Sequence, residues 1–162
     1  MTNIKVKDFE NLREKYKNKK IVFCSGTFDL LHAGHVLFLE DCKSQGDILV
    51  VGVGSNKIVK SYKNKTPIIN ESVRLKMLDS LKVVDHVYLE NAGHLYDSLK
   101  RTFFKLKPDF YVVNFDAGLI PERRKIAEKY KVKLVVLNRK CPQSYDNIST
   151  TKIIEKIKNL QK

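Results

Sequence analysis

The chain has 162 residues, 43% hydrophobic and 30% charged, with a formal net charge of +13. This length and apolar content exclude a disordered chain and suffice for one domain with its own core, while no apolar run approaches the ~20 residues that a membrane-spanning helix needs. Three cysteines, Cys24, Cys42 and Cys141, without a CxxC pair, argue against a disulfide framework and for a reducing compartment.

In chain order, the opening stretch MTNIKVKDFENLREKYKNKK has no apolar h-region, so no secretory signal is visible and a cytoplasmic protein is expected. A helix over roughly residues 6–17 precedes the first strand, IVFCSG (21–26). A helical pattern follows over 35–45, then a strand ILVVGVG (48–54), then a polar, lysine-rich connection over 61–70 that reads as a loop closing over an anion. The stretch 71–81 is a helix with Val73, Met77, Leu78 and Leu81 on one face. HVYLE (86–90) is a strand, and 95–107 is a helix with Leu95, Leu99 and Phe103 in line. FYVVN (110–114) and KLVVLN (133–138) are strands on either side of a helix over 121–130 that opens with Pro121. Ser149 caps a last helix over 149–160.

The strands are short, β-branched and apolar on both faces, as buried parallel strands are. Their alternation with helices predicts an α/β fold: one Rossmann-like, doubly wound domain with a five-stranded parallel sheet. Residues 1–19 form a helical extension on a core of 20–162. Ligands of such sheets bind beyond the carboxyl ends of the strands, which directs attention to 26–35, 55–65, 114–118 and 139–151.

The first of these is SGTFDLLHAGH. Gly26 ends the strand and lets the backbone approach a ligand, Thr27 and Phe28 offer N–H groups there, and Asp29 fixes the loop. His32 and His35 are three apart and share a helix face, with Gly34 leaving room for a bulky anion. At a helix N-terminus these features make a phosphate cradle with two imidazole donors. Two histidines do not make a metal site, and no third ligand stands nearby in sequence. The surplus of lysine is spread along the whole chain, so much of it is a solvated surface rather than the print of one anionic partner.

The run Gly26-Thr27-Phe28-Asp29-Leu30-Leu31-His32-Ala33-Gly34-His35 resembles the HxGH signature of the cytidylyltransferase-like nucleotidyltransferases. Ile148-Ser149-Thr150-Thr151-Lys152-Ile153 is similar to the ISTTKI motif of the same superfamily, and the likeness spans roughly residues 20–160. Glycerol-3-phosphate cytidylyltransferases and the adenylyltransferase domains of ADP-heptose synthases are the groups it resembles most. The resemblance implies transfer of NMP from an NTP to the phosphate of a sugar or polyol phosphate, with release of pyrophosphate. It implies Mg²⁺ bound through the triphosphate without protein metal ligands, a homodimer, and neither a nucleic-acid nor a membrane partner.

The same resemblance assigns roles. His32, His35 and Lys63 would be catalytic. Gly26, Thr27, Phe28, Asp29, Gly34, Arg139, Ile148, Ser149, Thr150 and Thr151 would bind the nucleotide. Lys65, Arg74 and Asp116 would bind the acceptor. Each cation has a plainer reading beside this one, a solvated lysine loop for Lys63 and Lys65 and an exposed helix residue for Arg74. The match breaks at Val113-Asn114-Phe115-Asp116-Ala117-Gly118, which is unlike the corresponding run of either group. Spacing over 55–74 follows the heptose enzymes, whereas 26–28 and 148–153 follow the cytidylyltransferases, so CTP is preferred over ATP. An adenylyltransferase of heptose-phosphate or flavin-phosphate type is the alternative. A catalytically dead basic protein that binds nucleotide or nucleic acid is the alternative from another class.

Overall fold

The computed structural model describes residues 3–64 and 66–160. Five strands, β1 (Ile21–Gly26), β2 (Ile48–Gly54), β3 (His86–Glu90), β4 (Phe110–Asn114) and β5 (Lys133–Leu137), form one sheet in the order β3-β2-β1-β4-β5. Every pairing is parallel, with Cys24 opposite Val51 on one side and Val112 on the other. The connecting helices are α1 (Phe9–Lys15), α2 (Ala33–Lys43), α3 (Asn56–Lys63), α4 (Glu71–Asp79), α5 (Leu95–Leu106), α6 (Ile120–Lys129) and α7 (Thr150–Leu160). The expected five-stranded parallel α/β architecture is therefore present, each strand within a residue of its predicted bounds.

Strand residues alternate between two cores. On one face Phe23, Val50, Tyr88 and Tyr111 are covered by Phe9 and Leu12 of α1, by Leu99 and Phe103 of α5 and by Ala127 of α6. On the other, Val22, Cys24, Val51, Val87 and Val112 are covered by Leu39 and Cys42 of α2 and Leu78 of α4. Each such side chain removed from water stabilises the fold by about 1.5–3 kcal/mol. At the amino ends of the strands, Asp109 accepts from the Ile21 N–H (2.9 Å), Arg13 (3.1 Å) and Lys20 (2.9 Å), fastening α1 and β1 to the start of β4. The Ile4 N–H donates to the Val87 carbonyl at 2.8 Å and so partly covers the β3 edge.

Three expectations need correction. The connection over 61–70 is not one loop, because helix α3 continues to Lys63. Its Ser55 hydroxyl caps the Ile58 N–H at 3.2 Å, and Ile58, Val59 and Tyr62 turn inward. In α4, Val73 and Met77 are 48% and 37% exposed while Arg74 and Leu78 are buried, so the helix turns a different face inward from the one its apolar residues suggested. The N-terminal helix is also shorter, a 3-10 turn at Val6–Asp8 leading into α1.

The order of strands reverses at β1. The chain leaves β1 into α2 on one face, whereas α6, which follows β4, covers the other face. Their diverging loops leave a crevice beyond the carboxyl ends of β1 and β4.

Candidate active site

A cavity of about 810 Å³ occupies that crevice, near the upper end of the range for small-molecule sites. Its walls come from the loop after β1, the end of α3, the loops after β4 and β5, and the start of α7.

The loop after β1 is held in a strained shape. Phe28 and Leu30 have φ of 51° and 48°, a region that residues with a side chain rarely adopt. Asp29 between them is 9% exposed, and its two carboxylate oxygens accept the N–H groups of Ile68 (2.8 Å) and Ile69 (2.9 Å). The Asp29 carbonyl accepts from the Thr150 hydroxyl at 2.9 Å. One residue thus joins the β1 loop, the segment ahead of α4 and the start of α7.

His32 stands at the N-cap of α2 and His35 in its first turn. Their rings stack with centroids 3.9 Å apart. The edge of the Phe28 ring supports His35 at 5.5 Å. Burial, then His32, then Lys63 push the His35 imidazole down to about 3, and burial lowers His32 as well. Both rings are therefore neutral near pH 7, and the Nδ1 atoms of both are buried without a partner among the described residues. Two neutral imidazoles side by side can donate to an anion without repelling one another as imidazolium ions would.

The glycines of this motif also make room for protein neighbours. A Cβ on Gly26 would lie 3.0 Å from the Phe28 ring. A Cβ on Gly34 would lie 3.0 Å from the His32 ring and 3.3 Å from the Ile148 carbonyl oxygen. Both glycines line the cavity, their missing side chains admit protein neighbours, and Gly34 is where the two signature runs meet. Beyond Ile148, the Ser149 hydroxyl accepts the Lys152 N–H at 3.3 Å, which bears out its capping geometry. The starts of α2 and α7 converge on one wall, and Thr151 lies on the cavity lining.

Lys63 ends α3, with its Nζ donating to the Thr27 hydroxyl at 3.1 Å on the cavity rim and lying 5.5 Å from the Tyr62 ring centroid. Lys65 lies outside the described residues. Asp116 lines the cavity and accepts from the Asn114 amide at 2.9 Å.

Two arginines differ from expectation. Arg74 is 1% exposed and does not line the cavity. Its donors go to the carbonyls of Ile69 (2.9 Å), Thr27 and Gly54 (2.9 Å) and to the Asn56 side chain (2.8 Å). That leaves it bracing the ends of β1 and β2 rather than offering a fork to an acceptor. Arg139 does line the cavity, but its guanidinium pairs with both carboxylate oxygens of Asp41 on α2. Its backbone is gripped by Asn114, whose amide group donates to the Arg139 carbonyl and accepts its N–H, both at 2.9 Å.

Sequence reasoning missed Asn114, Arg123 and Phe38, which all contribute to the cavity. It also missed a buried polar group at the end of β3. Glu90 is 1% exposed and packs where Gly52 lacks a side chain, a Cβ there falling 2.9 Å from the carboxyl. Burial pushes the Glu90 carboxyl up to about 7, opposed by hydrogen bonds from Tyr88 and Ser98 and by the charges of Arg123 and Arg101. Among the described residues no group of His, Cys, Asp and Glu side chains could hold a metal ion, and none of the helices is long and apolar enough to cross a membrane.

The family model described as cytidylyltransferase-like matches residues 23–156. The chain is 36% identical to the bifunctional protein HldE of Geobacter metallireducens, over 96% of this chain and 31% of that relative, so it spans about a third of the HldE length. It is also 36% identical to the FAD synthase of Thermococcus onnurineus, over 89% of this chain and 95% of that protein. Among solved structures it resembles the lipopolysaccharide core biosynthesis protein from Thermoplasma volcanium, with a TM-score of 0.66 and 30% identity over 75% of this chain and 98% of that one. A pantoate-beta-alanine ligase from Francisella tularensis, 18% identical with a TM-score of 0.64, shares the fold.

Proposed function

Because the chain belongs to the cytidylyltransferase-like family and is a nucleotidyltransferase, we propose that it transfers AMP from ATP to the phosphate of a phosphate monoester. The observation that carries this reading is the meeting of the HxGH and ISTTKI runs across Gly34, which turns two helix N-termini and two neutral imidazoles toward one cavity.

An acceptor phosphate oxygen attacks the α-phosphorus, a new P–O bond forms, and the bond to the β-phosphate oxygen breaks to release pyrophosphate. The acceptor is itself the nucleophile, so the protein's part is orientation and stabilisation of charge. His32 and His35 donate to the phosphate oxygens on which charge grows, and Lys63 exchanges its bond to Thr27 for one to the triphosphate. Mg²⁺ carried in with the nucleotide would add positive charge there.

ATP is favoured over CTP because a relative matched over nearly its whole length is an FAD synthase, whose product joins AMP to a flavin phosphate. Phe115 favours an acceptor with a planar ring. It lines the cavity while 43% exposed, so a ring face is open for stacking, and Lys140 lies 5.9 Å from its centroid. Cytidylyl transfer to a sugar or polyol phosphate is the second reading, favoured by the Gly26-Thr27-Phe28 and Ile148–Ile153 runs.

The test is pyrophosphate release with ATP or CTP, each offered riboflavin 5′-phosphate, glycerol 3-phosphate and a heptose 1-phosphate. ATP with riboflavin 5′-phosphate is expected to lead. Preference for CTP with glycerol 3-phosphate would establish the second reading, and release with none of the pairs would reject both.

A further inference from the structure

The cavity is built from both faces of the sheet, and its cations divide accordingly. The histidine pair stands at the start of α2, whose Leu39 and Cys42 pack on one face. Arg123 comes from α6, whose Ala127 packs on the other. Arg123 is 6% exposed, and what remains accessible lines the cavity. Its Nε donates to the Gly118 carbonyl at 2.8 Å and its Nη1 to the Tyr111 hydroxyl. Its Nη2 donates to no protein acceptor among the described residues. A nearly buried guanidinium on a cavity wall, tied by one carbonyl and one phenol, within reach of the Glu90 charge and with Nη2 left over, is prepared for a further anion.

We propose that Arg123 binds the phosphate of the acceptor and selects for phosphorylated acceptors. This rests on the nucleotidyl-transfer reading. In-line displacement needs the attacking oxygen on the side of the α-phosphorus opposite the leaving pyrophosphate. With the triphosphate held between the starts of α2 and α7, the acceptor enters from the α6 side, where Arg123 waits. Tyr111 and Gly118 hold the fork in place. Of the other expected acceptor ligands, Arg74 has its donors spent on the protein and Asp116 carries the wrong charge, while Lys65 lies outside the described residues.

The test uses the complete chain saturated with Mg²⁺ and α,β-methylene-ATP, or the CTP analogue if only that binds, with inorganic phosphate titrated by calorimetry. Wild type is expected to bind phosphate at one site. Arg123→Gln should weaken that binding at least about tenfold, the loss of one charge-assisted hydrogen bond, and Arg123→Lys should weaken it less. Nucleotide affinity should stay within about twofold of wild type. If Arg123→Gln is unfolded by circular dichroism, the Glu90→Gln/Arg123→Gln variant, which also removes the buried carboxylate, takes its place in the same titration. Unchanged phosphate affinity, a parallel fall in nucleotide affinity, or no phosphate site in the wild-type complex would overturn the assignment while nucleotide binding stands. A wild-type protein that binds neither analogue would instead remove the nucleotidyl-transfer reading, and this assignment with it.

Discussion

A side chain on Gly34 would crowd Ile148: its Cβ would lie 3.3 Å from the Ile148 carbonyl oxygen, and 3.0 Å from the His32 ring. Runs more than a hundred residues apart in sequence are registered by one missing methyl group.

Gly34→Ala therefore separates local from tertiary preference. Alanine in place of glycine within a helix normally stabilises by about 0.5–1 kcal/mol. Here it should give no such gain, because the methyl group displaces the His32 ring or the Ile148 backbone. The expected outcome is a melting temperature close to wild type with pyrophosphate release reduced by about tenfold or more. Full activity would show that the two runs need no such registration.

His32→Ala and His35→Ala should each reduce turnover by ~10²–10³, the usual effect of deleting a preorganised donor to a transition state. Both Nδ1 atoms are buried without partners, so little polar bonding is lost and stability should change by no more than about 1–2 kcal/mol. Rate measurements on folded protein decide this, and near-normal turnover in both variants would remove the assignment.

Arg74→Ala should behave as a stability variant. It strips bonds from the Thr27 and Gly54 carbonyls at the ends of β1 and β2 and from the Ile69 carbonyl ahead of α4, for an expected loss of about 3 kcal/mol or more in urea unfolding. An acceptor ligand would instead raise KM in a protein of normal stability, which is the result that would contradict the brace.

The pH dependence of stability should carry two opposed signatures. His35 is held down at about 3 against an ordinary value of 6.5, by burial first and then by His32 and Lys63. Within that window the unfolded chain takes up the proton and the folded one does not, so this group costs stability as pH falls through it. Glu90 is held up at about 7 against 4.5 by burial. Between those values the folded state keeps a proton that the unfolded state has lost, so stability falls as pH rises, with a limiting slope of ~1.4 kcal/mol per unit. Thermal melts of Glu90→Gln from about pH 4 to 8 should gain on wild type as pH rises. A constant difference between the two proteins would exclude this role for Glu90.

The strands were legible because buried parallel strands are apolar on both faces, a signal that needs no partner to be read. The residues that line the candidate site from 26–35 and 148–151 were legible because they lie in contiguous runs. Helix α3 was obscured by its lysines, although Ser55 as a cap and the spacing of Ile58, Val59 and Tyr62 would have shown it. The arginines were harder. Arg74, Arg123 and Arg139 have the same chemistry, and burial decides that one braces strands, one faces the cavity with a free donor edge and one pairs with Asp41. Arg123 lies in PERRKIAEK, beside Arg124, and only packing against Tyr111 sets the two apart.

The grip of Asn114 on both backbone groups of Arg139 has a consequence for how such a protein diversifies. It welds the end of β4 to the chain beyond β5, while Arg123 holds the Gly118 carbonyl at the other end of the turn. The residues between, Phe115 to Ala117, hang from two fixed posts. Their own fastenings are backbone ones, the Phe115 N–H to the Leu137 carbonyl and the Ala117 N–H to the Asn114 carbonyl, which another short run could also make. On the nucleotidyl-transfer reading, a change of acceptor would call for rewriting that one small cassette, and it falls within the run where the sequence resemblance breaks.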